Sequence, residues 1–322
     1  MKKILGIFVL VSVLLCGASP LFAGGSQAAS GGSGDKPYRI AFLPGSMANE
    51  SQAYSAKQFQ KLGPSMGFDV TILDGRADAQ VQAQQVNNCV AQKFDVIFVN
   101  PNDVNGIVPS LTAAKRAGVI VGLFSSDLPP ANAGSRDIFV GVNDNEAGET
   151  AAQSFIRQFP GGANIVEIGG QSGHDAAIKR HDGFNAAIRG SNINVLDYKA
   201  CSAWSTSEAM TIMEDMITKY GNRIQGVFCH WDNGATGVIE AAKAAGISDL
   251  FIVAVDGCRA GFDQVNAGTQ GSSIMQNFAA QAKVSLEVAL KALKKEPFDA
   301  VNLVPLDDIN KSNIDRFEYP EW

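Results

Sequence analysis

The chain has 322 residues, with 26 Lys and Arg against 32 Asp and Glu and a formal net charge of −6. Scattered basic residues in a mildly acidic chain exclude a nucleic-acid surface, which needs clustered Lys and Arg. No apolar run approaches the roughly 20 residues that span a bilayer, and the length suffices for two separate cores. The N-terminus reads as an address. Met1-Lys2-Lys3 precedes an apolar run at 4–15, interrupted by Gly6 and Ser12, as in a secretory signal peptide. Cleavage after Ala23 would follow Pro20-Leu21-Phe22, and Cys16 is a rival lipidation site that ranks second because the large Leu15 precedes it. The segment 24–36, dominated by Gly, Ser and Ala, is expected to be a flexible tether, with a soluble mature domain beginning near Pro37.

Short apolar runs then recur at 39–43, 70–73, 96–99 and 119–124, and later at 165–168, 195–198, 227–229, 252–255 and 272–275. Several are continuously apolar rather than alternating, the mark of strands covered on both faces. Helical patterns separate them; at 278–293, apolar residues at 279, 282, 286, 289, 290 and 293 form one stripe. This alternation predicts an α/β protein of two doubly wound parallel-sheet lobes. Turn and cap residues at the strand exits, such as Asn100-Pro101-Asn102-Asp103, Ser125-Ser126-Asp127 and Asp256-Gly257, place candidate chemistry there. In open parallel sheets, ligands bind at the carboxyl ends of the strands. Gly141-Val142-Asn143-Asp144-Asn145, before an Ala-rich helix, reads as a crossing into the second lobe.

Other constellations carry less. Cys89, beside Val86 and Val90 on a helix face, reads as core, while Cys229 and Cys258 at strand ends leave a bridge open. Cys201 joins no zinc spacing, and no C-x-x-C occurs. His174, His181 and His230 match no metal-ligand pattern and read as solvated or rim residues. Gly169-Gly170-Gln171-Ser172-Gly173 lacks the P-loop lysine and reads as a tight strand-to-helix turn. Lys291 to Lys295 fits a solvated helix end.

The ordered set Val99-Asn100-Pro101 with Asp103, Asn143-Asp144-Asn145 with Gly148, and Arg180-His181-Asp182-Gly183-Phe184 resembles the bacterial ribose-type sugar-binding proteins that feed ABC transporters. Ala241-Ala242-Lys243-Ala244-Ala245-Gly246, Val255-Asp256-Gly257 and Ile274-Met275-Gln276 continue the match, which runs from about Arg39 to Glu296. The resemblance implies a type I periplasmic-binding fold: lobes of 37–143 with 277–302 and of 144–276 with 303–322, joined by crossings near 143, 277 and 303. It implies a ligand cleft between the lobes, a membrane permease and separate ATPase as partners (or a chemoreceptor docked by the same closed shape), a monomer, and no cofactor, metal or catalysis.

Carried across residue by residue, the resemblance implies hydroxyl binding by Asn49, Asp256 and Gln276, a forked guanidinium at Arg180, and an aromatic wall at Trp204. Trp204 also stands in a polar loop where an exposed aromatic needs something to cover. Three departures stand out: Ser51-Gln52 replace paired phenylalanines, Ser125-Ser126 replace an Asp-Arg pair, and Trp231-Asp232 replace an asparagine before an aspartate. These positions join the candidate site. A pentose or hexose other than ribose, a polyol, a cyclitol or a nucleoside would each suit indole faces. Asp256 has a plainer reading as a helix cap. Asp232 and Asp256 could pair as glycosidase carboxylates, but nothing supplies a raised-pKa acid for a fold whose cleft binds without chemistry. A sugar-responsive repressor of the same fold would need a helix-turn-helix where the signal segment stands.

Overall fold

Strands with no polar face need helices on both sides, and that requirement organises the structure. The computed structural model describes residues 36–322; the signal segment, Cys16 and all but the last tether residue lie outside the described residues. The first half of the chain alternates β1 (Tyr38–Leu43), α1 (Glu50–Leu62), β2 (Phe68–Ile72), α2 (Ala79–Ala91), β3 (Val96–Val99), α3 (Val108–Arg116), β4 (Ile120–Phe124) and β5 (Ile138–Gly141). The second continues with α4 (Asp144–Gln158), β6 (Ala163–Gln171), α5 (Asp175–Ala187), β7 (Ile193–Cys201), α6 (Thr206–Tyr220), β8 (Gly226–Cys229) and α7 (Asp232–Ala244). It closes with β9 (Phe251–Asp256), α8 (Arg259–Ala267), β10 (Ser272–Gln276), α9 (Phe278–Leu293), β11 (Val301–Leu303) and β12 (Leu306–Asn310).

Two sheets result, ordered β11-β5-β4-β3-β1-β2 and β12-β10-β9-β8-β6-β7. All pairings are parallel except β10 with β12. The chain leaves the first sheet after Gly141, returns to its layers through α9, and passes over again between β11 and β12. Strands β5, β11 and β12 were not among the predicted runs; β5 is as short and as apolar as β3, while β11 and β12 are short edge strands with polar positions.

Within β1, Ile40 and Phe42 face one layer with Phe59, Phe98 and Leu286, while Ala41 and Leu43 face the other with Val86, Ile97 and Leu111. The second sheet repeats the arrangement: Val166, Ile168 and Val227 meet α6 and α7, and Ile165, Phe228 and Val253 meet α4 and α5. The four described cysteines are buried free thiols, so the Cys229–Cys258 bridge left open by the sequence is not formed. Among the described residues, no helix is long and apolar enough to cross a membrane.

Both sheets share the inner order in which β1 and β3, or β6 and β8, flank a reversal of winding direction. Such reversals open a crevice at the strands' carboxyl ends. On the second lobe, α4 and α5 cross so closely that a Cβ on Gly148 would stand 2.1 Å from the Arg180 carbonyl oxygen and 2.6 Å from the Phe184 nitrogen. Alanine is ordinarily the better helix former by about 1 kcal/mol. Here the backbones must part to admit the methyl group. Gly148→Ala should therefore lose on the order of 1–3 kcal/mol in denaturant unfolding, the cost of overpacking; a gain in stability would show that the crossing relaxes freely.

Candidate functional site

The carboxyl ends of both sheets converge on one cavity of about 270 Å³. Nine residues marked by the sequence line it: Asn49, Ser51, Gln52, Ser125, Arg180, Trp204, Trp231, Asp256 and Gln276. Each is placed by local chemistry. Asn49 caps α1, its Oδ1 accepting from the Gln52 nitrogen (3.2 Å) and the Ser51 hydroxyl (2.7 Å), while Gln52 Oε1 accepts from the Ser46 nitrogen. Much of this trio's hydrogen bonding is thus spent on the helix start. Ser125 follows β4 with φ of 63°, and Asp256 ends β9 with φ of 139°. Those are equivalent positions in the two sheets. Backbone held in such conformations costs roughly 1–3 kcal/mol and persists where the surroundings over-determine it.

Arg180, 3% exposed, stands on α5. Its Nε donates to Asp144 Oδ1 at 2.9 Å and one terminal nitrogen donates to the His230 carbonyl, leaving its remaining N–H groups at the cavity. Burial raises the Asp144 pKa, and the Arg180 charge opposes that rise. The guanidinium carbon lies 5.8 Å from the Trp204 ring centre, within cation–π range. Trp204 sits in a loop pinned by Glu208, whose carboxylate accepts from the Ser202 and Ala203 nitrogens, while Ser205 caps α6 by accepting from Glu208. Its ring overlies Gly170, where a Cβ would approach to 2.1 Å, and meets Trp231 edge-on at 5.5 Å. Gly170 of the 169–173 turn is therefore the floor for an indole.

Asp256 is buried with a single side-chain hydrogen bond, from Gln276 Nε2 at 2.9 Å. Burial pushes its carboxyl well above the usual carboxylate range, reinforced by the nearby Asp232 and opposed by Arg180. It does not cap α8, whose cap position is Cys258. Two further buried acceptors at the cavity, Asn100 Oδ1 and Gln276 Oε1, have no partner among the described residues.

Two expected site residues do not line the cavity. Ser126 is fully buried beside Ser125. Asp232 faces inward from the first turn of α7, where Oδ2 accepts from the Gly257 and Cys258 nitrogens and the Ser273 hydroxyl, and Oδ1 accepts from Gln270. Burial raises its pKa against these bonds. Contrary to the expectation that no raised-pKa acid is present, burial raises the carboxyls of both Asp232 and Asp256; the oxygens of Asp232 are nevertheless consumed in fixing the 256–258 turn, so no glycosidase-type pair faces the cavity.

The structure also adds residues. His174 caps α5 through Nδ1, borders the cavity and meets Trp204 edge-on at 5.4 Å. Burial and the Arg180 charge push its pKa down to about 4, so it is a neutral imidazole near pH 7. Contrary to the solvated reading, His230 is fully buried and its Nε2 lies 2.9 Å from Glu167. Asn100, Asn233, Phe278 and Trp322 also line the cavity. The cap role of His174 was legible as a residue before a helix; Trp322 carried no local signal. Across the cleft, Asn233 of α7 donates to Glu50 of α1 at 2.6 Å.

Two doubly wound lobes that bring strand exits together around a polar, aromatic-walled cavity define a cleft-type ligand-binding protein. The periplasmic binding protein domain matches residues 40–297, and the chain belongs to that family. Its members are solute-binding transport components, not enzymes. The xylitol-binding protein of Mycolicibacterium smegmatis is 29% identical over 240 residues, covering 74% of this chain and 67% of that protein. The ribose import binding protein RbsB of Escherichia coli is 26% identical over 242 residues, covering 75% and 80%. A crystal structure of a galactofuranose binding protein superposes with a TM-score of 0.82 at 22% identity, covering 87% of this chain and 97% of that one.

The Asp256 environment predicts a pH signature. Below the unfolded-state pKa of about 4 the carboxyl is protonated in both states and costs nothing. As pH rises through its elevated folded pKa, burying the charge removes stability. The stability of Asp256→Asn relative to the parent should therefore grow from pH 4 to pH 8 in ligand-free protein; a pH-independent difference would place the carboxylate in water-like surroundings.

Proposed function

We propose that the cleft binds one small polyhydroxylated molecule, a monosaccharide, polyol or cyclitol, and that the chain is the extracytoplasmic binding component of a sugar-type ABC importer. The observation that carries this reading is the set of acceptors at the cavity, Asp256, Gln276 Oε1 and Asn100 Oδ1, which have few or no donors among the described residues. Hydroxyl groups supply donors, and buried acceptors left without them are costly. Arg180 would complement the same ligand by donating to its ring or hydroxyl oxygens, and Trp204 and Trp231 would cover its C–H face. At about 30 Å³ per water, the volume corresponds to roughly nine waters. That leaves room for a single sugar ring or short polyol. The names of the relatives, xylitol-binding and ribose import binding, point to the same ligand class.

In this reading residues 37–143 with 277–302 and 144–276 with 303–322 act as two jaws. Asn49, Ser51, Gln52 and Ser125 contribute from the first jaw; Arg180, Trp204, Trp231, Asp256 and Gln276 contribute from the second and its border, with Ser126 and Asp232 supporting from beneath. Ligand contacts from both sides would favour the closed form by differential affinity, and the closed shape would dock as a monomer on the permease. Export through the 1–23 segment would precede this, with cleavage after Ala23 or acylation at Cys16 distinguished by the mass of the mature protein.

Thermal unfolding of protein stripped of ligand by unfolding and refolding, against pentoses, hexoses, polyols, cyclitols and nucleosides, tests the reading. A true ligand at about 100 times its Kd should stabilise by about 2.7 kcal/mol. Stabilisation by nucleosides alone would move the ligand class, and none from any compound would reject the reading. Above the raised pKa of Asp256, where the carboxyl is ionised, Asp256→Asn should weaken binding by about 1.5–3 kcal/mol, the value of a hydrogen bond to a charged group. Asn233→Ala, which breaks the contact to Glu50, should weaken it by about 1 kcal/mol, roughly fivefold, in titration calorimetry; unchanged affinity would show that closure does not use this contact.

A further inference from the structure

The segment 317–322 follows the last strand and a short helical turn, pairs with neither sheet, and is held by side-chain contacts to both lobes. On the first lobe, the Trp322 indole stacks on Tyr54 of α1 at 5.6 Å and 18°, and meets Phe278 of α9 at 5.4 Å and 73°. Glu321 lies 3.7 Å from Lys61 and 3.9 Å from Lys57. On the second lobe, Arg259 of α8 donates its backbone N–H to the Trp322 carbonyl and its guanidinium to the Glu321 carbonyl. The Tyr319 hydroxyl donates to Asp263 at 2.9 Å, and its ring meets Phe262 edge-on. Trp322 also lines the same cavity as Trp204, Trp231 and Asp256.

We infer that 317–322 is a strap across the two lobes that completes the ligand cavity, with Trp322 as a specificity-determining aromatic wall on the first-lobe side. This rests on the reading of the cavity as a polyhydroxyl site and deepens it. The second lobe supplies two indoles, Trp204 and Trp231, whereas the first lobe supplies small or polar residues at Asn49, Ser51, Gln52 and Ser125 and a single phenyl ring at Phe278, against which Trp322 packs. Trp322 balances that asymmetry, giving the cavity apolar faces from both directions. Such a site favours ligands whose hydroxyls lie at the ring edge and whose C–H groups lie on the faces. The strap's second-lobe anchor, Arg259, is three positions from Asp256 on the same strand-to-helix connection. Indole and carboxylate are therefore placed against one another through a single turn, and separating the lobes would strain one set of strap contacts or the other.

Two measurements on the full-length protein test this. Trp204 and Trp231 are the other two tryptophans, so Trp204→Phe/Trp231→Phe leaves Trp322 as the sole indole. Its emission should be blue-shifted and its acrylamide quenching several-fold weaker than for free tryptophan, with both effects lost in a further Tyr54→Ala variant. Emission and quenching like those of free tryptophan would overturn the docked strap. In the parent background, whichever of D-ribose, D-fructose, xylitol and myo-inositol raises the melting temperature most serves as the binding probe. Trp322→Ala should weaken its binding about tenfold, and Trp322→Phe should restore affinity to within about threefold of the parent. Affinity unchanged in Trp322→Ala, with only ligand-free melting lowered, would make Trp322 a packing residue and overturn the specificity role. If none of the four compounds stabilises the parent, the polyhydroxyl reading of the cleft fails on its own account, and the quenching arm still decides whether the strap is docked.

Discussion

Arg180 ties together the parts of this molecule that must be held in register. Its guanidinium joins Asp144, the first residue of the helix that follows the crossing from the first sheet, to the His230 carbonyl at the exit of β8, and it lies beside the Trp204 ring. A buried ion pair is a poor source of net stability, because removing both charges from water costs about as much as their attraction returns. What it does supply is geometry: each partner left alone would be an uncompensated buried charge, so arrangements that separate them are strongly disfavoured. The close approach of α4 and α5 at Gly148 is what brings Asp144 within reach.

Beneath this pair, a second polar group is built entirely from the second lobe. Glu167 is fully buried in β6, with His181 Nδ1 at 3.0 Å and His230 Nε2 at 2.9 Å. Burial opposes its ionisation, but hydrogen bonds from both imidazoles hold the carboxyl below the usual range. The bond to Glu167 raises the His181 pKa, which burial only partly offsets, while burial lowers that of His230. His181 also stacks on Tyr198 at 4.0 Å. The network fixes the His230 side chain, and through it the backbone carbonyl that Arg180 grips.

The two lobes solve the same problem with the same device. Each presents a non-glycine residue of positive φ where the fourth strand of its parallel set ends, Ser125 in one and Asp256 in the other. In the second lobe, Asp232 accepts the backbone N–H groups that stabilise the turn. In the first, the Ser125 nitrogen donates to the Val140 carbonyl on the neighbouring strand. Strain at both exits is thus held by bonds buried behind the cavity, and the cavity surface itself retains acceptors such as Asn100 Oδ1 and Gln276 Oε1 without partners among the described residues.

Local chemistry in the sequence determined a great deal. Continuously apolar runs marked most strands because a strand covered on both faces has no polar side to reveal; β11 and β12 escaped because polar positions break that signal, whereas β5, as short and as apolar as β3, carries it and lies outside the predicted runs. Strand exits named most of the cavity, since turn chemistry and ligand contact coincide there. Direction is what the sequence leaves open. Trp231 and Asp232 are adjacent, yet one borders the cavity and the other turns inward to satisfy four donors. Ser125 and Ser126 divide in the same way at a turn where Ser125 leaves the extended conformation, the first lining the cavity and the second fully buried. His174, read as a solvated or rim residue, stands at the rim because its ring caps α5. Trp322, far along the chain from every other cavity residue, the nearest being Phe278, reaches the cleft only through contacts that both assembled lobes provide. Periodicity and turn residues are local and can be read from the chain; which way a buried polar side chain faces depends on donors brought from elsewhere, and only the tertiary structure decides that.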